Sequence, residues 1–591
     1  MTLPRLRHAS VVFAVALLVR LIHLHYVAPT PFFELHRSFD ESDMYMFDQW
    51  SQRIGGGDWL GRRIEHPLNR WQLALAPEER WREWYGHPRA FYKAPFYPYL
   101  LAVLRRLFGD PMLPAALLQC LASSLSAALL VRLGDRLFGT PAGFAGGLLF
   151  ALYGPGVHFD VVLLRGPWIV LVALLATLSF VDLAQAPRLR RALVCGLWTA
   201  VALLVNEGFA LVPFVGLALL PFWIRPRRVL LATAGAFAGG VALGLLPLVA
   251  RNLLVGAPPL GLAVTGSVVY AVFNAPGANP WAFEIRPQVL TPLMHEAGGS
   301  LFAMALACLR GFESVVALFV FYAEKLSGLV IAFENPDNAN FYYAALLDPL
   351  LAALPAYGVL FPLAVAGVVV AGRRAQALLP ALPFALSLFA SILLTTTLSR
   401  YRVAFAVYLF PMAGLALATG AAAAARRDWR RVAIVGGCAL LTWLCASLVE
   451  ERLERRARLS ALRYRPPEFY LAAEAWARRG QPGRAAAEML SLARHNHDPR
   501  IQAWALLRGA PLLAESGETS QAEEALSLAV RTGRRDPALL MAAGDARRTS
   551  LGDAAGARAL YQDALDLAPA LDLRAQLEDR LRLMEGAGSV K

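Results

Sequence analysis

Runs of about twenty apolar residues recur through the first three quarters of the chain, and a helix of that length reaches across the hydrocarbon core of a bilayer. They lie near 9–27, 112–131, 141–158, 167–184, 192–206, 208–224, 229–250, 350–371, 378–396, 403–424 and 432–449. With 57% hydrophobic and only 17% charged residues, the composition excludes an ordinary soluble globular protein. The expected fold class is all-α: a polytopic transmembrane helix bundle with about 11 spans, followed by a C-terminal α-helical repeat domain.

Positive charge decides the threading. The formal net charge is +14, yet Lys and Arg gather in short clusters at the ends of apolar runs, so topology explains them and nucleic acid is not an expected partner. Arg5, Arg7 and His8 precede the first run. Arg132 with Arg136, Arg188 to Arg191, Arg225 to Arg228, Arg373 with Arg374, and Arg426 to Arg431 then mark every second end. By length the first run reads equally as a signal sequence or a membrane helix; no small-residue cleavage site follows it, so it is read as an anchor. This threading puts residues 28–106 and 251–347 outside the cytoplasm and, with an odd number of crossings, the C-terminus as well. The stretch 301–333 is apolar but broken by Arg310, Glu313, Glu324 and Lys325, and is expected to be interfacial or buried. A crossing there would put Arg373 and Arg374 on the wrong side.

Beyond about residue 450 the composition shifts to Ala, Arg, Glu and Leu with helical periodicity. Turn glycines recur at Gly480, Gly517 and Gly552, prolines at Pro499, Pro537 and Pro569, and small residues at Ala486, Ala522 and Ala557. That period matches a helix-pair repeat and resembles a short, degenerate tetratricopeptide array over 466–585, a surface for a protein partner. Cys120, Cys195, Cys308, Cys438 and Cys445 stand in apolar surroundings without zinc spacing, so neither a metal site nor a disulfide framework is expected.

The polar stretch Ser38 to Trp50 concentrates Asp40, Glu41, Asp43 and Asp48 at a membrane exit. Carboxylates are costly in hydrocarbon, so these face water or a cavity, where one of them can act as a general base or simply cap a helix start. Lys93, in the aromatic, proline-marked segment Tyr92 to Tyr99, reads equally as a phosphate contact or a snorkelling interfacial lysine. Arg165, Arg251 beside Asn252, and Arg400 with Arg402 stand at outer helix ends, where topology does not favour positive charge. Phosphate binding and pairing with local acids are both open for them.

Taken in order, these motifs resemble the GT-C glycosyltransferases, specifically the family 39 or protein-mannosyltransferase-like group that includes the bacterial aminoarabinose transferases of lipid A. The residues carrying the resemblance are Asp43-x-x-x-Phe47-Asp48-x-Trp50, Gly57-Asp58-Trp59-Leu60-Gly61, Lys93-Ala-Pro95-Phe-Tyr97-Pro98-Tyr99 and Ala151-Leu-Tyr153-Gly154-Pro155 with Asp160 and Arg165. Arg251-Asn252, Phe273-Asn274, Phe333-Glu334-Asn335-Pro336-Asp-Asn338 and Arg400-Tyr401-Arg402 follow, so it covers residues 1–450. It implies an inner-membrane enzyme that moves a sugar from a polyprenyl-phosphate-linked donor to an extracytoplasmic acceptor with inversion. Asp43 is implied as the base, with Asp40 as the competing alignment. Lys93, Arg165, Arg251, Arg400 and Arg402 are implied at the lipid phosphate, supported by Glu41, Asp48, Tyr97, Asn252, Glu334 and Asn335. No cofactor is implied, and a divalent metal stays open. The chain departs from its relatives at Asn206-Glu207, where many carry Arg-Pro. A lipid or sugar transporter and a non-catalytic assembly scaffold are the rival classes; mid-membrane charges and an inverted repeat would mark the first.

Overall fold

The computed structural model describes residues 3–63, 68–567 and 569–588. Every regular element among them is helical. The chain divides into two compact units, one of residues 1–27 and 39–457 and the other of residues 28–38 and 458–591.

The first unit is an apolar helix bundle. All eleven apolar runs are helical, but only six stretches among the described residues pass as spans by length and composition, or eight if each bent pair counts as one. The shortfall from eleven has a local cause. Pro349–Leu394 counts as one stretch of 46 residues although it holds the separate helices Tyr357–Ala371 and Leu382–Leu394, joined by a 3-10 turn from Gly372 to Ala381, and Thr140–Ala151 and Glu207–Trp223 are apolar but short. Leu301–Arg310 and Val315–Ser327 are bent by 117° at the break that Glu313 marks in the sequence.

Four helices position the site: α1 (Asp43–Gly55), α2 (Phe96–Phe108), α3 (Gly166–Gln185) and α4 (Leu189–Val205). Helices α3 and α4 form a hairpin that turns at Ala186 to Arg188, and Arg191 donates there to the Asp182 and Ala186 carbonyls at 2.8 and 3.1 Å. Arg165 and Glu207 therefore share the opposite end of that hairpin. Beyond it, α5 (Arg227–Val255) packs closely on α4. Hydrocarbon supplies little drive for apolar helices to associate, so close backbone approach through small residues carries the contact. A Cβ on Gly240 would collide with the Leu193 carbonyl, and one on Gly196 with that of Phe237.

In the second unit, Pro466–Arg478 pairs with Pro482–His495, Pro499–Glu515 with Thr519–Thr532, and Pro537–Ser550 with Ala554–Asp566; Leu571–Gly588 follows. Gly480, Gly517 and Gly552 take φ of +68°, +89° and +67° at the turns within pairs, a backbone region that glycine enters without steric cost. Ala486, Ala522 and Ala557 are fully buried between helices. Glu34, from the short segment 28–38, accepts from Arg479 Nη2 at 2.7 Å within this unit.

Replacing Gly240 by Leu forces α4 and α5 apart, and overpacking of this kind costs about 1–3 kcal/mol or more. The Gly240→Leu protein in detergent is expected to lose its fold several degrees below the wild type in a thermal-stability assay read by size exclusion. An unchanged melting temperature would show that the crossing is not tight.

Candidate active site

Asp43 opens α1. Ser42 caps the helix, its Oγ accepting from the Tyr45 N–H at 3.1 Å and donating to the Phe39 carbonyl at 2.6 Å. A carboxylate in the first turn is favoured by the helix dipole. The Asp43 N–H has no partner inside its own helix, and donates to Asn338 Oδ1 at 2.7 Å.

Lys93 Nζ donates to Asp43 Oδ1 and Arg400 Nη1 to Asp43 Oδ2, each at 2.5 Å. One carboxylate thus joins segments 50 and 357 residues away. Side-chain exposures of 18% for Asp43, 13% for Lys93 and 16% for Arg400 leave the group shielded but reachable from solvent. Arg400 Nε pairs with Asp337 Oδ2 at 2.6 Å, and its Nη2 donates to the Tyr401 hydroxyl at 3.0 Å. Beside this group Arg165 grips Glu207 with both terminal nitrogens, at 2.6 and 2.7 Å, a bidentate pairing that fixes orientation as well as charge. Glu207 also accepts from the N–H of Ala94, next to Lys93, at 3.3 Å.

The electrostatics follow from these contacts. Burial pushes the Asp43 carboxyl up, but the charges and hydrogen bonds of Lys93 and Arg400 outweigh it and hold the group far below the usual carboxylate range. For Glu207, burial again works upward and is outweighed by Arg165 and then Lys93, which bring it down to about 2. Both are ionised at neutral pH. Lys93, Arg165 and Arg400 face Asp43, Glu207 and Asp337, so these six groups sum to no net charge.

The other residues singled out from the sequence lie elsewhere. Asp40 and Glu41 are exposed on the turn before α1, and among the described residues their side chains make no hydrogen bond or ion pair. Asp48 is buried and ties α1 to α2 through Arg105, with Gln52 Nε2 donating to it at 2.9 Å. The Tyr97 hydroxyl donates to Gln119 Oε1 at 2.7 Å inside the bundle. Arg251 spends its donors on the carbonyls of Leu60, Gly61 and Arg89 and on Asn252 Oδ1, and stacks over the Phe91 ring at 3.9 Å. Asn252 in turn donates to the carbonyls of Pro258, Pro259 and Gly261. Arg402 is buried among the carbonyls of Gly328, Ile331 and Phe333 and the carboxylate of Glu334, which Ser399 Oγ also reaches at 2.6 Å. Asn335 Nδ2 donates to the Thr397 carbonyl at 3.3 Å. Two residues apart on one helical turn, Arg400 and Arg402 point roughly 200° from each other, one to the site and one into the core. No group of three or more His, Cys, Asp or Glu side chains among the described residues is arranged to hold a metal ion.

Four members of the cluster went unassigned by sequence reasoning: Glu207, Asp337, Asn338 and Tyr401. Asp337 and Asn338 lie inside the Phe333 to Asn338 motif, and Glu207 stood out only as a departure. A charge balance was the usable signal, since each outer cation without a bilayer reason to be there calls for an acid on another loop.

A multi-pass, all-helical membrane protein with a charge-paired cluster at helix ends and the segments between them is the class that fold and site define. Residues 92–253 match the family model of dolichyl-phosphate-mannose-protein mannosyltransferase, in agreement with the protein-mannosyltransferase-like motif order. That region contains Lys93, Arg165, Glu207 and Arg251. No curated protein matches the chain in sequence. Among solved structures, the apo oligosaccharyltransferase of Archaeoglobus fulgidus is 14% identical with a TM-score of 0.40, over 82% of this chain and 59% of that one. The same organism's AglB in complex with an inhibitory peptide and a dolichol-phosphate is 16% identical with a TM-score of 0.37, over 81% and 59%. The chain spans 59% of the length of these structures.

Arg251 is expected to act on stability. Arg251→Gln leaves the Leu60, Gly61 and Arg89 carbonyls without their donor, a loss of about 1–3 kcal/mol, so the melting temperature of the purified protein should fall. Affinity for a phosphate-bearing lipid should stay within about twofold of the wild type in the fraction that remains folded. A normal melting temperature with lost lipid affinity would return Arg251 to the phosphate site.

Proposed function

We propose that the chain is an integral-membrane glycosyltransferase that moves a sugar from a polyprenyl-phosphate-linked donor to an extracytoplasmic acceptor. The observation that carries the reading is the Asp43 carboxylate held between Lys93 and Arg400 at 2.5 Å from each. The family match supports the donor class. A base and its neighbouring cations are what an inverting displacement at an anomeric carbon needs.

In this reaction the acceptor heteroatom attacks the anomeric carbon and passes its proton to Asp43. The bond from that carbon to the phosphate oxygen breaks, and its electron pair leaves with the lipid phosphate. Lys93 and Arg400 stabilise the charge that develops there, with Arg165 beside them paired to Glu207. Arg251 and Arg402, whose donors are engaged by backbone carbonyls, hold the loops instead. As the phosphate draws Lys93 and Arg400, Asp43 loses counter-ions and gains proton affinity, so the base is strengthened by the donor itself. The reading places this chemistry on the outer face of the cytoplasmic membrane of a bacterium, with the helix pairs of the second unit serving a protein partner or the acceptor.

The test is an assay of purified protein against a panel of polyprenyl-phosphate sugars, reading release of the lipid phosphate. Asp43→Asn is expected to reduce release by about 10²–10⁴-fold, the range for loss of a general base, with an unchanged elution profile. Asp40→Asn should stay within about twofold, as its side chain contacts nothing in the cluster. Turnover retained in Asp43→Asn and lost in Asp40→Asn would reassign the base, and release from no donor would sink the reading.

A further inference from the structure

Glu207, like Asp337, is a carboxylate of the cluster that the reaction described above does not use. Its carboxylate takes both terminal nitrogens of Arg165, at 2.6 and 2.7 Å, and the amide of Ala94 next to Lys93, at 3.3 Å. With a side-chain exposure of 29% it sits at the accessible edge of the cluster, against 14% for Arg165 behind it. An arginine presents a planar fork of donors that suits carboxylate and phosphate alike. A phosphate reaching Arg165 must therefore displace a carboxylate of the same charge and the same bonding geometry.

We propose that Glu207 is a specificity-determining residue that competes with phosphate for Arg165, so that the site favours a lipid head carrying one phosphate over one carrying two. The proposal rests on the glycosyltransferase reading of the same site. Its physical basis is the charge count. Lys93, Arg165 and Arg400 are already balanced by Asp43, Glu207 and Asp337, and each negative charge brought in has to free a cation from a carboxylate. A single phosphate draws on Lys93 and Arg400, the two cations that otherwise meet Asp43. A second phosphate group needs a further cation, and the adjacent one is Arg165, which Glu207 holds from two sides. Removing the charge at 207 leaves the cluster one unit positive and Arg165 available, while an amide still offers an oxygen to the Ala94 N–H.

The probes are farnesyl phosphate, farnesyl diphosphate and farnesol, with dissociation constants measured on the full-length protein in detergent for wild type, Glu207→Gln and Arg165→Met. The wild type is expected to bind the monophosphate more tightly than the diphosphate. Glu207→Gln should tighten the diphosphate about tenfold and the monophosphate no more than about threefold, with farnesol unchanged; tenfold corresponds to about 1.4 kcal/mol. Arg165→Met should move affinity for the diphosphate the other way. Opposite signs from the two halves of one ion pair are what a competitor produces, since a purely structural pair would lose the same fold from either side. Equal or weaker diphosphate binding in Glu207→Gln, with the wild type still preferring phosphate to farnesol, overturns the role of Glu207 and leaves the reaction standing. No preference for either phosphate over farnesol in the wild type overturns both.

Discussion

A carboxylate bonded on both oxygens, to a lysine on one side and an arginine on the other, is the contact on which the first unit's loops depend. Asp43 draws Lys93 and Arg400 to within 2.5 Å from positions 50 and 357 residues distant. At the margin of an apolar bundle the alternative to pairing is an exposed or half-desolvated charge, so the pairing favours this arrangement of the segments that carry Lys93 and Arg400. Charge neutralisation thus sets the loop arrangement here as apolar packing sets the helices. Arg165 and Glu207 repeat the arrangement at the mouth of the α3–α4 hairpin.

The arginines divide by what they hold. Arg165 and Arg400 meet carboxylates, which a competing anion can replace. Arg251 and Arg402 are engaged mainly by carbonyl groups of loop backbone, Arg402 also by the buried Glu334 carboxylate, and each lies over an aromatic ring, Phe91 at 3.9 Å and Tyr357 at 4.1 Å. The second pair is therefore architecture. It anchors segments 60–61 and 328–333, and the latter leads directly to Asp337 and Asn338, which place Arg400 and the Asp43 amide.

Much of this was legible in the sequence, because hydropathy and the flanking positive clusters respond to the bilayer directly. The apolar runs are helices, and the interrupted stretch at 301–333 is a pair of helices bent at its polar break. Span lengths were harder to read, since Thr140–Ala151 is shorter than the apolar run that predicts it. Of the residues singled out from the sequence, Asp43, Lys93, Arg165 and Arg400 meet in one cluster while Asp40, Arg251 and Arg402 lie outside it, and which cation meets which acid was not legible. Pairing across 357 residues depends on tertiary packing and leaves no local period to read. The doublet at 400 and 402 shows the limit well: helix geometry separates the two residues, yet only the position of the 328–338 segment decides which of them reaches Asp43.

A carboxylate held far below its usual range is a poor base in the state where it is so held, and each unit of lost basicity weakens its proton affinity by about 1.4 kcal/mol. That argues for the pairing as a latch and not as an obstacle. The same two cations that suppress Asp43 are those a phosphate would attract, so suppression and relief are linked to one event. Arg165 is coupled to the same charges, because Glu207 stands next to Lys93 through Ala94 and Asp43 contributes to the field at Arg165. The acid that sequence comparison marked only as a departure thus adjoins the lysine and arginine expected at the phosphate, where its charge can decide how strongly a second anion is held.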